Sequence, residues 1–155
     1  MKKEFMNAAI EISNDNLLNN LGGPFGAVII RDNKIIGSGG NRVTSTNDPT
    51  AHAEIVAIRD ACQKINSFSL EGAEIYTSCE PCPMCLSAIY WARISKIYYA
   101  NARKDAESIG FDDSYIYEQI SLPFDLRDIP IEQISSQKAI EVFMKWKLKT
   151  DKTQY

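Results

Sequence analysis

One histidine and three of the four cysteines stand where they could share a metal ion. His52 lies in Ala51-His52-Ala53-Glu54, and Cys79, Cys82 and Cys85 lie in Cys79-Glu80-Pro81-Cys82-Pro83-Met84-Cys85. Imidazole nitrogen and thiolate sulfur are the donors that suit zinc. Two cysteines at C-x-x-C spacing, the second in the first turn of a helix, can grip one ion together. The helix N-terminus adds positive potential that favours their thiolates. A single histidine near a helix start is usually structural, and a single C-x-x-C is ambiguous between redox and metal chemistry; the combination is what argues for a metal. Spacing leaves two ligand sets open. His52 with all three cysteines makes a closed, structural site, whereas His52 with two cysteines keeps a fourth position for water, as catalytic zinc does. Glu54 would have no purpose in a closed site and would be a general acid–base group in an open one. Residues two apart on a helix point about 200° away from each other. His52 and Glu54 can therefore serve one site only if the helix end itself points at the metal. The helix containing Cys85 should do likewise, so that two N-termini converge.

The elements that must deliver these ends are readable in outline. Phe5, Ala8, Ala9, Ile12, Leu17, Leu18 and Leu21 have helical spacing within 4–21, and Gly22-Gly23-Pro24 ends that run. Residues 25–30 and 34–38 flank Arg31-Asp32-Asn33 and read as a β-hairpin. Residues 41–47 read as a polar loop. Asp48-Pro49 is a helix start, with Asp as N-cap and Pro in the first turn, for a helix reaching about Ile65. Residues 73–78 read as a strand, 83–92 as a short helix and 97–100 as a strand apolar enough to be central. The stretch 105–122 reads as loop and short helix, 129–134 as a fifth strand and 137–149 as a final helix. This order implies an α/β layered domain. With no repeat or linker in 155 residues, a single domain over 1–155 is expected.

Composition excludes several classes of function. Apolar residues make up 45% and charged residues 24%, ordinary for a globular chain. A chain of this length buries roughly two thirds of its unfolded surface and needs no disulfide to fold. Acidic residues outnumber basic ones, 20 to 17, giving a net charge of −3; a nucleic-acid binder normally shows a basic excess. The segment from Lys138 onward carries +3 and the remainder −6. Lys145, Lys147 and Lys149, alternating with Trp146 and Leu148, read as a half-exposed helix face. The first fifteen residues lack the apolar core of a signal peptide, and Ala27-Val28-Ile29-Ile30 is far too short to cross a bilayer. A cytoplasmic location with reduced thiols is the expectation.

His-x-Glu on one helix start with Pro-Cys-x-x-Cys on another is the general signature of zinc nucleobase deaminases. Pro81 and Pro83 bracket Cys82, which fits that signature at Cys82 and Cys85 and leaves Cys79 as a packed thiol and Cys62 as core. The ligand set implied is His52, Cys82 and Cys85, one zinc per subunit. Zinc lowers the pKa of water toward neutrality, and Glu54 would shuttle protons.

More widely, the chain resembles the bacterial guanine deaminases of the cytidine deaminase-like zinc hydrolase superfamily. The matching stretches are residues 22–27, 47–54 and 76–85, Ile89-Tyr90-Trp91-Ala92, Gly110-Phe111-Asp112-Asp113-Ser114 and the terminal Tyr155. The zinc core belongs to the whole superfamily, whereas Gly-Phe-Asp-Asp-Ser and the terminal tyrosine narrow the resemblance to guanine. The resemblance implies a three-layer αβα sandwich with a five-stranded mixed sheet, and a homodimer with exchanged C-terminal segments. It implies hydrolysis of guanine to xanthine and ammonia, with zinc-bound hydroxide attacking C2 and Glu54 protonating N3 and then, helped by Asp113, the departing amine. Asn41 would contact the purine edge, Phe25 would stack on the base, and Trp91 and Tyr155 would wall the pocket, one from each subunit. The alternatives are a guanosine deaminase, a tRNA-specific adenosine deaminase, and a structural zinc-binding module without chemistry.

Overall fold

Asp32 and Asn33 both take positive φ, 52° and 59°, the backbone of a two-residue turn whose twist matches that of a hairpin. This turn joins β1 (Gly26–Arg31) and β2 (Lys34–Gly40) in antiparallel register, Arg31 opposite Lys34 and Gly26 opposite Gly40, with an irregularity at Ile29/Ile30. The other edge of β1 pairs antiparallel with β3 (Glu74–Cys79), and β3 pairs parallel with β4 (Lys96–Asn101). The order is β2-β1-β3-β4.

The structure, a computed structural model, describes residues 2–154, and the chain divides into two compact units after Tyr115. In the first unit, α1 (Lys2–Leu18) covers one face of the sheet, packing Phe5, Ala9 and Ile12 on Val28, Ile30 and Tyr76. The opposite face is covered by α3 (Ala53–Ile65) and α4 (Pro83–Trp91), around Ala27, Ile29, Ile75, Leu70 and Ile89. Three layers result, because β1 and β3 are apolar on both faces and must be sheltered on both. Ala53, Ala57 and Ala61 form a stripe of small residues on α3 at four-residue spacing. They approach Gly37 and Gly39 of β2 so closely that a Cβ on either glycine would lie about 2.5 Å from α3 atoms.

Four features differ from the sequence expectation. Among the described residues the sheet has four strands, not five: 129–134 form no strand, Pro130 removes a ladder donor there, and every residue of that stretch is exposed. β4 ends the sheet rather than lying inside it, and Tyr99 is half exposed. A short helix, α2 (Val43–Thr46), interrupts the polar loop. The helix assigned to Asp48-Pro49 starts later, at Ala53, because the Asp48 carboxylate is engaged in a local turn, accepting from the Thr50 backbone N–H and hydroxyl at 2.8 and 2.7 Å. After β4 come α5 (Arg103–Ser108) and α6 (Ser114–Ser121).

The second unit contains a 3-10 turn (Phe124–Leu126) and α7 (Gln137–Leu148). The Arg127 guanidinium organises it, donating to the Leu122 and Ile120 carbonyls at 3.0 Å each and lying over the Phe124 ring. No described helix is long and apolar enough to cross a membrane.

Candidate metal centre and active site

The late start of α3 makes His52 its N-cap (φ −68°, ψ 158°), and Cys82 is the N-cap of α4 with nearly the same backbone (φ −66°, ψ 168°). Pro83 follows at the first helical position, where its missing N–H is not needed. The two N-cap side chains face one another across a shared centre, His52 at the start of α3 and Cys82 at the start of α4. Cys82 Sγ and Cys85 Sγ each lie 3.5 Å from His52 Nδ1, and the three donor atoms lie within 4.8 Å of one another. A tetrahedral zinc with ordinary Zn–N and Zn–S lengths separates its nitrogen and sulfur donors by about 3.5 Å. The donors therefore fit zinc in both kind and spacing, and with three of them a fourth position stays open. Cys79, at the end of β3, is buried and lies outside this group; its Sγ faces the Ala102 carbonyl at 3.9 Å. Cys62 is half-buried against the core.

Charge in the cluster is divided unequally. The hydrogen bond from the Cys85 thiol, helped by the His52 ring, holds Cys82 down to about 4 despite its burial. The same bond and burial push Cys85 well up, and His52 is raised by the bond to Cys82. Glu54 is 6% exposed, and its Oε2 accepts from Cys85 Sγ at 3.4 Å. Burial raises its carboxyl above the usual range. A buried carboxyl shifted in this direction, beside an open metal position, is suited to hold and pass on a proton. His52 precedes the first turn of α3 and Glu54 is inside it, so both stand at the helix end, as their two-residue spacing requires if they serve one site.

The remaining candidates divide. Asp113 is half-buried; burial raises its carboxyl and the Arg103 guanidinium opposes that shift. Cys82 and the carboxylate of Glu80 are near enough to push it further up. Phe25 packs edge-on against Phe111, ring centres 4.9 Å apart, with Gly23 beneath both rings. Asn41 is buried at the end of the hairpin, and the Arg42 N–H next to it donates to the Ala51 carbonyl at 2.8 Å, the residue before His52. Trp91 is the last residue of α4 and 69% exposed. It lies about 9 Å along the helix axis from Cys85, away from the group formed by His52, Cys82 and Cys85. Tyr155 lies outside the described residues. Sequence reasoning missed Asn16, whose amide bonds the Gly23 and Asn41 carbonyls. Its signal was its place on the buried stripe of α1, where Phe5, Ala9 and Ile12 lead to an amide instead of a hydrophobe.

Comparison with known proteins agrees with this geometry. Residues 1–101 match the family described as the cytidine and deoxycytidylate deaminase zinc-binding region. The chain is 46% identical to a guanine deaminase of Bacillus subtilis over 151 residues, 97% of each chain. A crystal structure of guanine deaminase from Bacillus subtilis superposes with a TM-score of 0.96 at 45% identity, covering 99% of this chain and 98% of that one. A tRNA-specific adenosine deaminase of Agrobacterium fabrum is 49% identical, but over only 76 residues, about half of each chain. With its ligand spacing, its two converging helix ends and the match over residues 1–101, the chain belongs to the cytidine and deoxycytidylate deaminase family of zinc-binding proteins.

Proposed function

We infer that the chain is a guanine deaminase, hydrolysing guanine with water to xanthine and ammonia. The observation that carries this reading is the reach of the similarity. The sequence match to a tRNA-specific adenosine deaminase of Agrobacterium fabrum covers about half of the chain, whereas that to the Bacillus subtilis guanine deaminase covers 97% of it, and the structure of the latter superposes at a TM-score of 0.96. Zinc held by His52, Cys82 and Cys85 supplies Lewis-acid activation of water. Glu54 takes a proton from the attacking water and delivers protons to N3 and to the amine leaving C2. The buried, raised carboxyl of Glu54 suits that alternation, and Asp113, raised in the same direction, assists at the departing amine. Asn41 contacts the purine edge, and Phe25, braced by Phe111, offers the base a ring face. A product screen with zinc-loaded protein on guanine, guanosine, adenine, cytosine and a tRNA anticodon stem tests the assignment. Xanthine from guanine is expected. Activity on guanosine alone, or on the tRNA stem alone, would replace it, and no deamination of any base would leave a structural zinc module.

The active form in this reading is a homodimer with exchanged C-terminal segments. Its support is the second unit itself, in which Ile134, Phe143 and Leu148 are 74% or more exposed. Trp91 from one subunit and Tyr155 from the other would wall the pocket. Sedimentation should give a dimer. Deletion of residues 150–155 should raise KM more than it lowers Tm, and an unaltered KM would remove the tail from the site. Cytoplasmic residence suits the reading, since all four cysteines are free thiols.

A further inference from the structure

Asn16 is 2% exposed in the last turn of α1, at the end of the helix's buried stripe. A buried amide is costly unless every polar atom is engaged, and here every one is. Its Nδ2 donates to the Gly23 carbonyl at 2.7 Å and to the Asn41 carbonyl at 2.9 Å, and its Oδ1 accepts from Arg42 Nη1 at 2.5 Å. The partners fix its orientation, because a carbonyl can only accept and a guanidinium can only donate.

The same logic fixes Asn41. Its Oδ1 accepts from the backbone N–H groups of Gly23 at 3.3 Å and Val43 at 3.1 Å. Both are donors only, so the side-chain oxygen is turned into the chain. The Asn41 Nδ2 has no such partner, and among the described residues no buried side-chain nitrogen or oxygen lacks one; the amide therefore opens outward by its NH2 end. The cluster has no slack. A Cβ on Gly22 would lie 2.3 Å from the Asn41 carbonyl oxygen and 2.7 Å from its Oδ1, and one on Gly40 would lie 2.7 Å from Asn16 Oδ1.

We propose that Asn16 is a positioning residue for purine recognition. By tying Gly23 to the Asn41 backbone and bonding Arg42, it fixes the Asn41 amide with its oxygen inward and its NH2 outward. A base edge arriving at Asn41 then meets a hydrogen-bond donor, and a purine presenting an acceptor there is preferred over one presenting an amine. This rests on the reading of Asn41 as a substrate contact.

A double-mutant cycle tests it. Guanine kinetics, zinc content and Tm are measured for Asn16→Ala, Asn41→Ala and the double variant. Asn16→Ala should raise KM about tenfold, the scale of one hydrogen bond, with kcat within about threefold and zinc retained. In the Asn41→Ala background the same substitution should change KM less than about twofold while Tm still falls. A residue acting only on fold stability would not produce that loss of effect. A full tenfold change in both backgrounds, or an unchanged KM for Asn16→Ala alone, overturns the proposal. An Asn41→Ala variant with normal KM overturns the reading of Asn41 itself, and the proposal with it. Should Asn16→Ala fail to fold, Arg42→Met, which removes the donor to Asn16 Oδ1 at a half-buried position, enters the same cycle with the same criteria.

Discussion

Replacing Gly39 by alanine should disable the zinc centre from behind. Gly39 lies in β2 with an ordinary backbone, but a Cβ there would stand 2.5 Å from the Ala57 nitrogen, 2.6 Å from the Ala53 carbonyl oxygen and 2.8 Å from Val56 Cβ. Ordinary contact begins at 3.4 Å, so the first turns of α3 must retreat by about 0.9 Å to clear the 2.5 Å contact. Ala53 sits between His52 and Glu54, and metal–ligand distances tolerate only about 0.2 Å. Overpacking of this kind costs about 1–3 kcal/mol, or roughly 3–10 °C in Tm for a chain of this size. A displacement near 1 Å at reacting groups costs about 10²-fold in rate. Metal content, Tm and guanine turnover should therefore all fall together. Gly72→Ala is the control: φ is +79° there and nothing lies within 4 Å, so it should cost about 1 kcal/mol of backbone strain with zinc and turnover unchanged. Full zinc occupancy and normal kcat in Gly39→Ala, or an equal loss of turnover in Gly72→Ala, would refute the claim that close β2–α3 packing sets the site.

Three other outcomes are expected. Glu54→Gln should keep one zinc per subunit and lose about 10²–10⁴-fold in kcat; undiminished turnover would remove Glu54 from proton transfer. Cys79→Ser should retain zinc by metal analysis while Cys82→Ser and Cys85→Ser lose it, and loss from the first would mean that the ligand set is wrong. Tyr76 is held above the ordinary phenol range by burial and by the bond it donates to Glu74 Oε2 at 3.1 Å. Its folded-state pKa is thus raised above the unfolded value, so the stability it contributes is intact below about pH 10 and declines as pH rises beyond that. Urea midpoints should fall from pH 9 to pH 11.5 in the parent protein and fall less steeply in Tyr76→Phe; equal slopes would contradict this.

The metal centre was legible because its chemistry is local. The donors of Cys82 and Cys85 are three residues apart, and the geometric conflict between His52 and Glu54 already required a helix end at the metal. The hairpin was legible for the same reason, since its register follows from one two-residue turn. The misreadings share an opposite cause. Ile97-Tyr98-Tyr99-Ala100 reads as central by apolarity, yet a strand's place in a sheet depends on partners distant in sequence. Residues 129–134 have a strand-like composition with Pro130 inside it and no neighbour to pair with. Asp48-Pro49 has the residues of a helix start, but Thr50 takes the carboxylate first. The Asn16 cluster joins α1 to residues 23, 41 and 42, contacts that no local pattern records.

The delayed start of α3 also explains how one site holds a lowered thiol and a raised carboxyl side by side. Had the helix begun at Asp48, His52 and Glu54 would lie on nearly opposite faces. His52 and Cys82 are the N-caps of the two helices, so first-turn N–H groups of both lie beside the cluster. Their potential favours negative charge, and it acts here at close range: the Cys85 backbone N–H helps hold Cys82 down, and the Glu54 backbone N–H lowers its own carboxyl. At Glu54 burial outweighs that help and the carboxyl is raised; at Cys82 the bonds from Cys85 and His52 outweigh burial and the thiol is lowered. The same pair of helix ends thus carries a metal-ligating thiol held low and a carboxyl held high, and the difference between them is how far hydrogen bonding offsets burial at each.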